Sequence, residues 1–350
     1  MVGKAKRKRL PKDFVERLKA DDLTELQAVF DRCDLDARGG YAKQTALAFD
    51  ECPEALTRWL VSRGADLGAV DIWGKTPLHS RSGGWSGIAV LLELGADVNA
   101  VASIGTPLHA AACRKHAENA TLLLAYGARV DACDERGLTP LEVALHGCTN
   151  ADLERIPAFV KVMLDAGATR TPAMSGFVKR LAENFEFYRD VFNPEGVVAA
   201  SVALDFLYET FDVTPVPRRR VHDETTPILV RTTSWQEQHA ELWNLLVPPS
   251  GPAKTVQGEV IRIAGRISDE WMRNGGANWD RAYAEMATAV SGYVQRGTPL
   301  GPNEVAEIDS ILSLLVRCGG AGLDRLAELV VAWVLKNPSP LVLERPDYDR

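Results

Sequence analysis

A short phrase that returns at a nearly constant interval constrains this chain more than any other feature. It reads Gly74-Lys75-Thr76-Pro77-Leu78-His79, then Gly105-Thr106-Pro107-Leu108-His109, then Gly137-Leu138-Thr139-Pro140-Leu141-Glu142, with a degenerate copy at Gln44-Thr45-Ala46-Leu47. Thr45, Thr76, Thr106 and Thr139 stand 31, 30 and 33 residues apart. Each phrase leads into an apolar run and a Gly-Ala pair, at Gly64-Ala65, Gly95-Ala96, Gly127-Ala128 and Gly167-Ala168. A unit of this size cannot bury an apolar face alone, so neighbours must stack into a solenoid. Such a stack offers a long surface and brings no chemistry of its own.

Local rules rebuild each unit. Thr76, Thr106 and Thr139 stand where an N-cap hydroxyl satisfies free amides of a first helical turn. Pro77, Pro107 and Pro140 take the first helical position, where a missing N–H is harmless. Leu78, Leu108 and Leu141 point into the stack. A second helix follows, as in Val90-Leu91-Leu92 and Ala120-Thr121-Leu122-Leu123-Leu124. Gly64, Gly95, Gly127 and Gly167 end it, where a left-handed residue is needed. Polar stretches such as Asp97-Val98-Asn99-Ala100 and Asp131-Ala132-Cys133-Asp134 supply projecting turns.

The phrase, its period and its helix-ending glycines resemble the ankyrin repeat over about residues 13–172. The resemblance implies a protein-binding stack, with the histidines of the phrase supporting helix starts. The third unit keeps the family spacing, with His116 between its helices. The second is shorter, His79 to Gly95 against His109 to Gly127, and so is the first. The fourth is longer, with Cys148-Thr149-Asn150-Ala151-Asp152 in the surplus. Asp13 to Arg38 reads as a helical pair capping the open end, through Phe14, Leu18, Leu23, Leu26, Val29 and Phe30.

Length bounds the chain to about two domains. Hydrophobic residues at 46% and charged residues at 25% are ordinary for a globular protein. No run of about 18 apolar residues predicts a membrane span, and the polar start is no secretory signal. Six cysteines, Cys33, Cys52, Cys113, Cys133, Cys148 and Cys318, form no Cys-x-x-Cys pair and read as reduced side chains of a cytoplasmic protein. Lys4, Lys6, Arg7, Lys8, Arg9 and Lys12 give residues 1–12 six bases and no acid, a basic disordered tail. Of 40 basic and 47 acidic residues, 34 basic and all 47 acidic ones then lie beyond it, a balance of −13. A body this acidic argues against nucleic-acid binding except by the tail.

After Gly167 the period is lost. Helices are predicted over Ser175 to Phe192, from the cap Asn193 to Phe211, from the cap Ser234 to Val247, over Thr255 to Asn274, and at about 279–296, 303–317 and 322–336. Val213 to Asp223 reads as a linker or long loop, and Ile228-Leu229-Val230 as a short strand. The expected fold class is therefore all-α, an ankyrin-like repeat solenoid over 13–172 followed by a compact α-helical domain over 173–350. Trp271, Trp279 and Trp333 read as core anchors of that second domain.

Candidate chemistry is sparse. His146 beside Cys148 cannot alone close a tetrahedral metal site, and no cofactor or metal is expected. His222-Asp223-Glu224 offers an acid/base pair but no nucleophile in a recognisable frame. Ser250-Gly251-Pro252-Ala253-Lys254-Thr255 departs from a phosphate loop at both glycine positions. Arg262 and Arg266 stand one turn apart and, with Lys254, form a candidate anion site; pairing with Glu259 and Asp269 explains them equally. Large aromatics and arginines anchor interfaces. Candidate partner-binding residues are therefore the turn residues Tyr41, Trp73, Ile104 and Arg136, together with Arg81, Trp85, Arg114 and Lys115 around the inner helices. The leading expectation is a module that binds a protein partner through turns and inner helices. The alternative is an enzyme or toxin/immunity-type effector whose helical half takes an anion or nucleotide.

Overall fold

The computed structural model describes residues 5–85 and 87–348, apart from the side chains of residues 316–318. Two compact units emerge. The first runs to Phe185 and resumes over Phe192–Val216; the second comprises Glu186–Val191 and the chain from Pro217 onward. No helix among the described residues is long and apolar enough to cross a membrane.

The first unit is a stack. It contains α1 (Phe14–Ala20), α2 (Leu23–Arg32), α3 (Glu54–Ser62), α4 (Pro77–Ser82), α5 (Ala89–Glu93), α6 (Pro107–Arg114), α7 (Ala117–Ala125), α8 (Pro140–His146), α9 (Ile156–Asp165), most of α10 (Pro172–Tyr188) and α11 (Pro194–Phe211). The inner helices α4, α6 and α8 pack in sequence, and the outer helices α7 and α9 follow them. Leu78, Leu108 and Leu141 are fully buried in one continuous apolar core.

The repeated phrase works as a relay between units. The Thr106 amide donates to His109 Nδ1 at 3.0 Å, and the Thr76 amide to His79 Nδ1 at 3.3 Å. Each ring then carries its proton on Nε2, which donates to the next unit: His79 to the Gly105 carbonyl at 3.0 Å and His109 to that of Leu138 at 3.1 Å. Burial pulls both imidazoles below their ordinary pKa, which keeps them in this neutral form. In the fourth unit Glu142 replaces the histidine. It closes the same capping box, accepting from the Thr139 amide at 2.9 Å, and its other oxygen accepts from the Thr171 hydroxyl at 2.6 Å. The first unit lacks both the proline and a capping partner at the third helical position, where Ala48 stands, and Ala46–Ala48 forms only a 3-10 turn.

The open end departs from a pure helical pair. Arg7–Arg9 (β1) pairs in parallel with Cys33–Gly39 (β2), which pairs antiparallel with Gln44–Thr45 (β3). Residues 1–4 of the expected disordered tail lie outside the described residues, but the rest of it is ordered. Strand pairing, the buried Leu10 and a 2.7 Å bond from Lys6 Nζ to the Phe30 carbonyl hold it. The far boundary also differs from a break at 172/173. Met174, Val178, Leu181 and Phe185 of α10, with Ala203, Leu204 and Leu207 of α11, belong to the core of the stack. The apolar stripe continues there although the phrase has stopped.

The second unit is helical: α12 (Trp235–Leu246), α13 (Val256–Asn274), α14 (Arg281–Tyr293), α15 (Pro302–Cys318) and α16 (Leu323–Lys336). Helix α13 lies at its centre and packs on α12, α14 and α16. Val256, Val260, Ile263 and Ile267 form its buried stripe, and Trp333 is buried with them. Gly265 permits the approach of α12, since a Cβ there would sit 2.3 Å from the Trp243 ring. The expected strand at 228–230 is extended chain instead: the Ile228 amide donates to the Pro338 carbonyl at 2.7 Å, and no ladder forms there. Residues Asn337 to Leu343 are fastened to the start of α13, with the Val256 amide donating to the Leu341 carbonyl at 2.8 Å.

Candidate partner-binding site

The turns between repeats project from the stack, and each is shaped by a local device. In the second and fourth, a buried aspartate folds the turn. Asp71 Oδ1 accepts from the amides of Trp73 and Lys75 at 2.8 and 2.9 Å; Asp134 Oδ1 accepts from those of Arg136 and Leu138 in the same way. In the third, Val101 stands where the aspartate would. That turn closes instead by paired backbone bonds of 2.9 and 2.8 Å between Ala102 and Gly105. Gly105 is obligatory there: its φ is +94°, and a Cβ would meet the His109 ring at 2.6 Å. The first and second turns are joined, the Ile72 amide donating to the Ala42 carbonyl at 3.1 Å and Arg38 Nη1 donating to the carbonyls of Lys43 and Val70.

These turns display a row of large apolar side chains. Tyr41 is 88% exposed, Ile72 52%, Trp73 44% and Val101 69%. Tyr41 and Trp73 have ring centroids 5.8 Å apart, and Lys75 Nζ lies 5.5 Å from the centre of the Trp73 ring. Ser103 Oγ donates to the Trp73 carbonyl at 3.5 Å, linking the third turn to the second. Ile104 is half-buried, and Arg136 is exposed but spends its guanidinium on Asp134 at 2.9 Å. Ile72 and Val101 were not among the expected residues. Their signal was register: counting back from each Thr-Pro-Leu places Val101 where a turn aspartate belongs.

The loops joining the two helices of a unit present a second edge. Trp85 is 81% exposed and stands edge-on to His116 at 5.3 Å. Asp50 holds this loop, accepting from the Trp85 amide at 3.1 Å. Arg114 is exposed. Two expected contact residues fail here. Arg81 is buried, its guanidinium donating to the Gly87 carbonyl at 2.7 Å and to Thr57 Oγ1 at 3.4 Å, so it braces the shortened second unit. Lys115 is buried in a left-handed conformation, its ammonium donating to the Gly147 carbonyl at 2.8 Å and pairing with Asp152 at 3.2 Å. The lengthened fourth unit, with Asp152 in its surplus, provides that pairing.

Comparison with known proteins supplies the family. A model described as ankyrin repeats (3 copies) matches residues 45–134 and 81–168. Ankyrin repeat domain-containing protein 37 of Xenopus tropicalis is 34% identical over 122 residues, covering 34% of this chain and 74% of that protein. The chain is an ankyrin-repeat protein. Cyclin-dependent kinase 4 inhibitor B of Rattus norvegicus is 36% identical over 90 residues, 25% of this chain and 69% of that protein. The Mus musculus form is 34% identical over the same length. The ankyrin stack is a protein-interaction module; the family-model matches end at residue 168, before the second unit begins.

Outside the ankyrin stack, the candidate anion site dissolves. Arg262 is buried, with Nε and Nη2 donating to the two oxygens of buried Glu259 at 2.9 and 2.6 Å. Glu259 also accepts from the Ala253 amide at 2.7 Å and from the Tyr348 hydroxyl at 2.7 Å. A carboxylate of the chain itself thus occupies the helix start where an anion would sit. Lys254 pairs with Glu224 at 2.6 Å. Arg266, half-buried, lies 5.8 Å from the Tyr283 ring centre. Asp223 is held far below the usual carboxylate range by the amides of Thr226 and Thr225, which makes it a turn-former. His146 packs edge-on to Phe177 at 5.2 Å, and burial raises the Cys148 thiol to about 12. Among the described residues no cluster of three metal-binding side chains occurs.

Proposed function

We propose that this protein is a cytoplasmic interaction module that grips a protein partner with the turn tips of its first three repeats. One observation carries this reading: Tyr41, Ile72, Trp73 and Val101 come from three consecutive turns and remain exposed, with the Tyr41 and Trp73 rings 5.8 Å apart. Isolated exposed apolar residues are ordinary, whereas a row of this kind, with an aromatic pair, is a usual anchor for affinity. The relatives named for inhibiting cyclin-dependent kinase 4 act, by that name, on another protein, which supports a protein partner here. The five cysteines described are free thiols, in keeping with a reducing compartment. The anion-binding alternative has lost Arg262 to an internal pair and gains no support.

Affinity capture from the native host with wild-type and Trp73→Ala baits tests the reading. A partner retained by the first should be lost or weakened by more than about 1 kcal/mol in the second. Equal recovery by both would remove the tips from the interface.

A further inference from the structure

Three cations, Arg38, Lys43 and Lys75, stand in or beside the first two turns. Arg38 is exposed and ties the tips together through carbonyls, so its charge remains unneutralised. Lys43 is exposed, at a φ of 51°. Lys75 lies against Trp73. Among the described residues, none of the three takes part in an ion pair. Asp71, the acid of the second turn, is buried with its Oδ1 accepting from the Trp73 and Lys75 amides, and it forms an ion pair with none of the three. The contrast with the rest of the chain is sharp, since residues beyond position 12 carry 34 bases against 47 acids. The loop edge around Trp85 differs too, mixing Glu118 and Glu154 with Arg155.

Resting on the proposed interaction function, we infer that the partner offers these tips an acidic stretch of protein. An apolar side chain would lie against Tyr41, Ile72 and Trp73, with flanking carboxylates reaching Arg38, Lys43 and Lys75. The apolar contact supplies affinity, and complementary charge supplies selectivity and encounter rate. A basic segment would be repelled at the same place.

The probe is a phage-displayed library of random peptides about twelve residues long, selected on the immobilised full chain. Selected sequences should be rich in Asp and Glu around an aromatic or aliphatic residue. Synthetic copies should bind about tenfold more weakly at ~0.5 M than at ~0.05 M salt, because exposed charges are screened. Binding should fall by a similar factor in Lys43→Glu/Lys75→Glu, with Lys43→Gln/Lys75→Gln as the milder pair should the reversal perturb folding. Peptides that need Trp73 yet are not acidic, and are indifferent to both lysine pairs, overturn the acidic partner while leaving the tip site standing. Peptides indifferent to Trp73→Ala overturn both.

Discussion

Removing Arg262 should damage the second unit severely, although no ligand is involved. The pair it forms with Glu259 lies on one face of α13, three residues apart, with side chains 3% and 0% exposed. Arg262→Ala leaves the Glu259 carboxylate in the core, bonded only to the Ala253 amide and the Tyr348 hydroxyl. Breaking a buried pair from one side costs about 3–5 kcal/mol, more than the pair itself contributes against an apolar replacement. Glu259→Gln should cost a comparable amount, because Arg262 then keeps a buried charge and its Nη1 already lacks a hydrogen-bond partner. The double variant Glu259→Gln/Arg262→Ala should fall short of the summed losses by up to about 3 kcal/mol. The readout is amide hydrogen exchange of α13 peptides in the full chain, since two units need not unfold together. A loss below about 1 kcal/mol for Arg262→Ala, or an additive cycle, would refute the buried-pair account and reopen Arg262 as a ligand-facing residue.

Two further outcomes follow from the packing and the titrating groups. Burial holds His79, His109, His116 and His239 below their ordinary pKa, so the unfolded chain takes up protons first. Their contribution is complete above about pH 6.5 and declines as pH falls from there toward the lower folded values; denaturation midpoints from about pH 7.5 to 5 should fall accordingly, with a shallower slope in His109→Gln. Gly265→Ala should destabilise the second unit by about 1–3 kcal/mol by forcing Trp243 aside, and a companion Trp243→Leu should recover part of the loss in the same exchange experiment.

Much of the stack was legible because its instructions are local. A threonine hydroxyl, a first-turn proline and a helix-ending glycine each act within a few residues, so Thr76, Pro77 and Gly95 read directly as structure. What was illegible depends on pairing across distance. The basic residues of the tail look solvated in sequence, yet β2 supplies a strand for Arg7–Arg9 and Phe30 a carbonyl for Lys6. Helices α10 and α11 carry no repeated phrase, and only the shared apolar core assigns them to the stack. In the second unit the helix from Ser234 was foreseen by its cap, whereas the extended fastening of residues 337–343 on α13 has no local signature.

The candidate site follows the same division. Trp73 and Tyr41 were identifiable because turn tips have little around them to bury a large ring. Arg81 and Lys115 occupy positions that a regular repeat would expose, and irregular neighbours consume them: the truncated second unit leaves the Gly87 carbonyl to Arg81, and the lengthened fourth unit offers Asp152 to Lys115. Insertions and deletions along a stack therefore change which charges remain available for binding, while the first two tips, joined to each other through backbone groups, keep theirs. The row from Tyr41 to Val101 persists for this reason. Arg38 donates to backbone carbonyls rather than to a carboxylate, and among the described residues Lys43 and Lys75 enter no ion pair, which is the charge imbalance on which the proposed acidic partner rests.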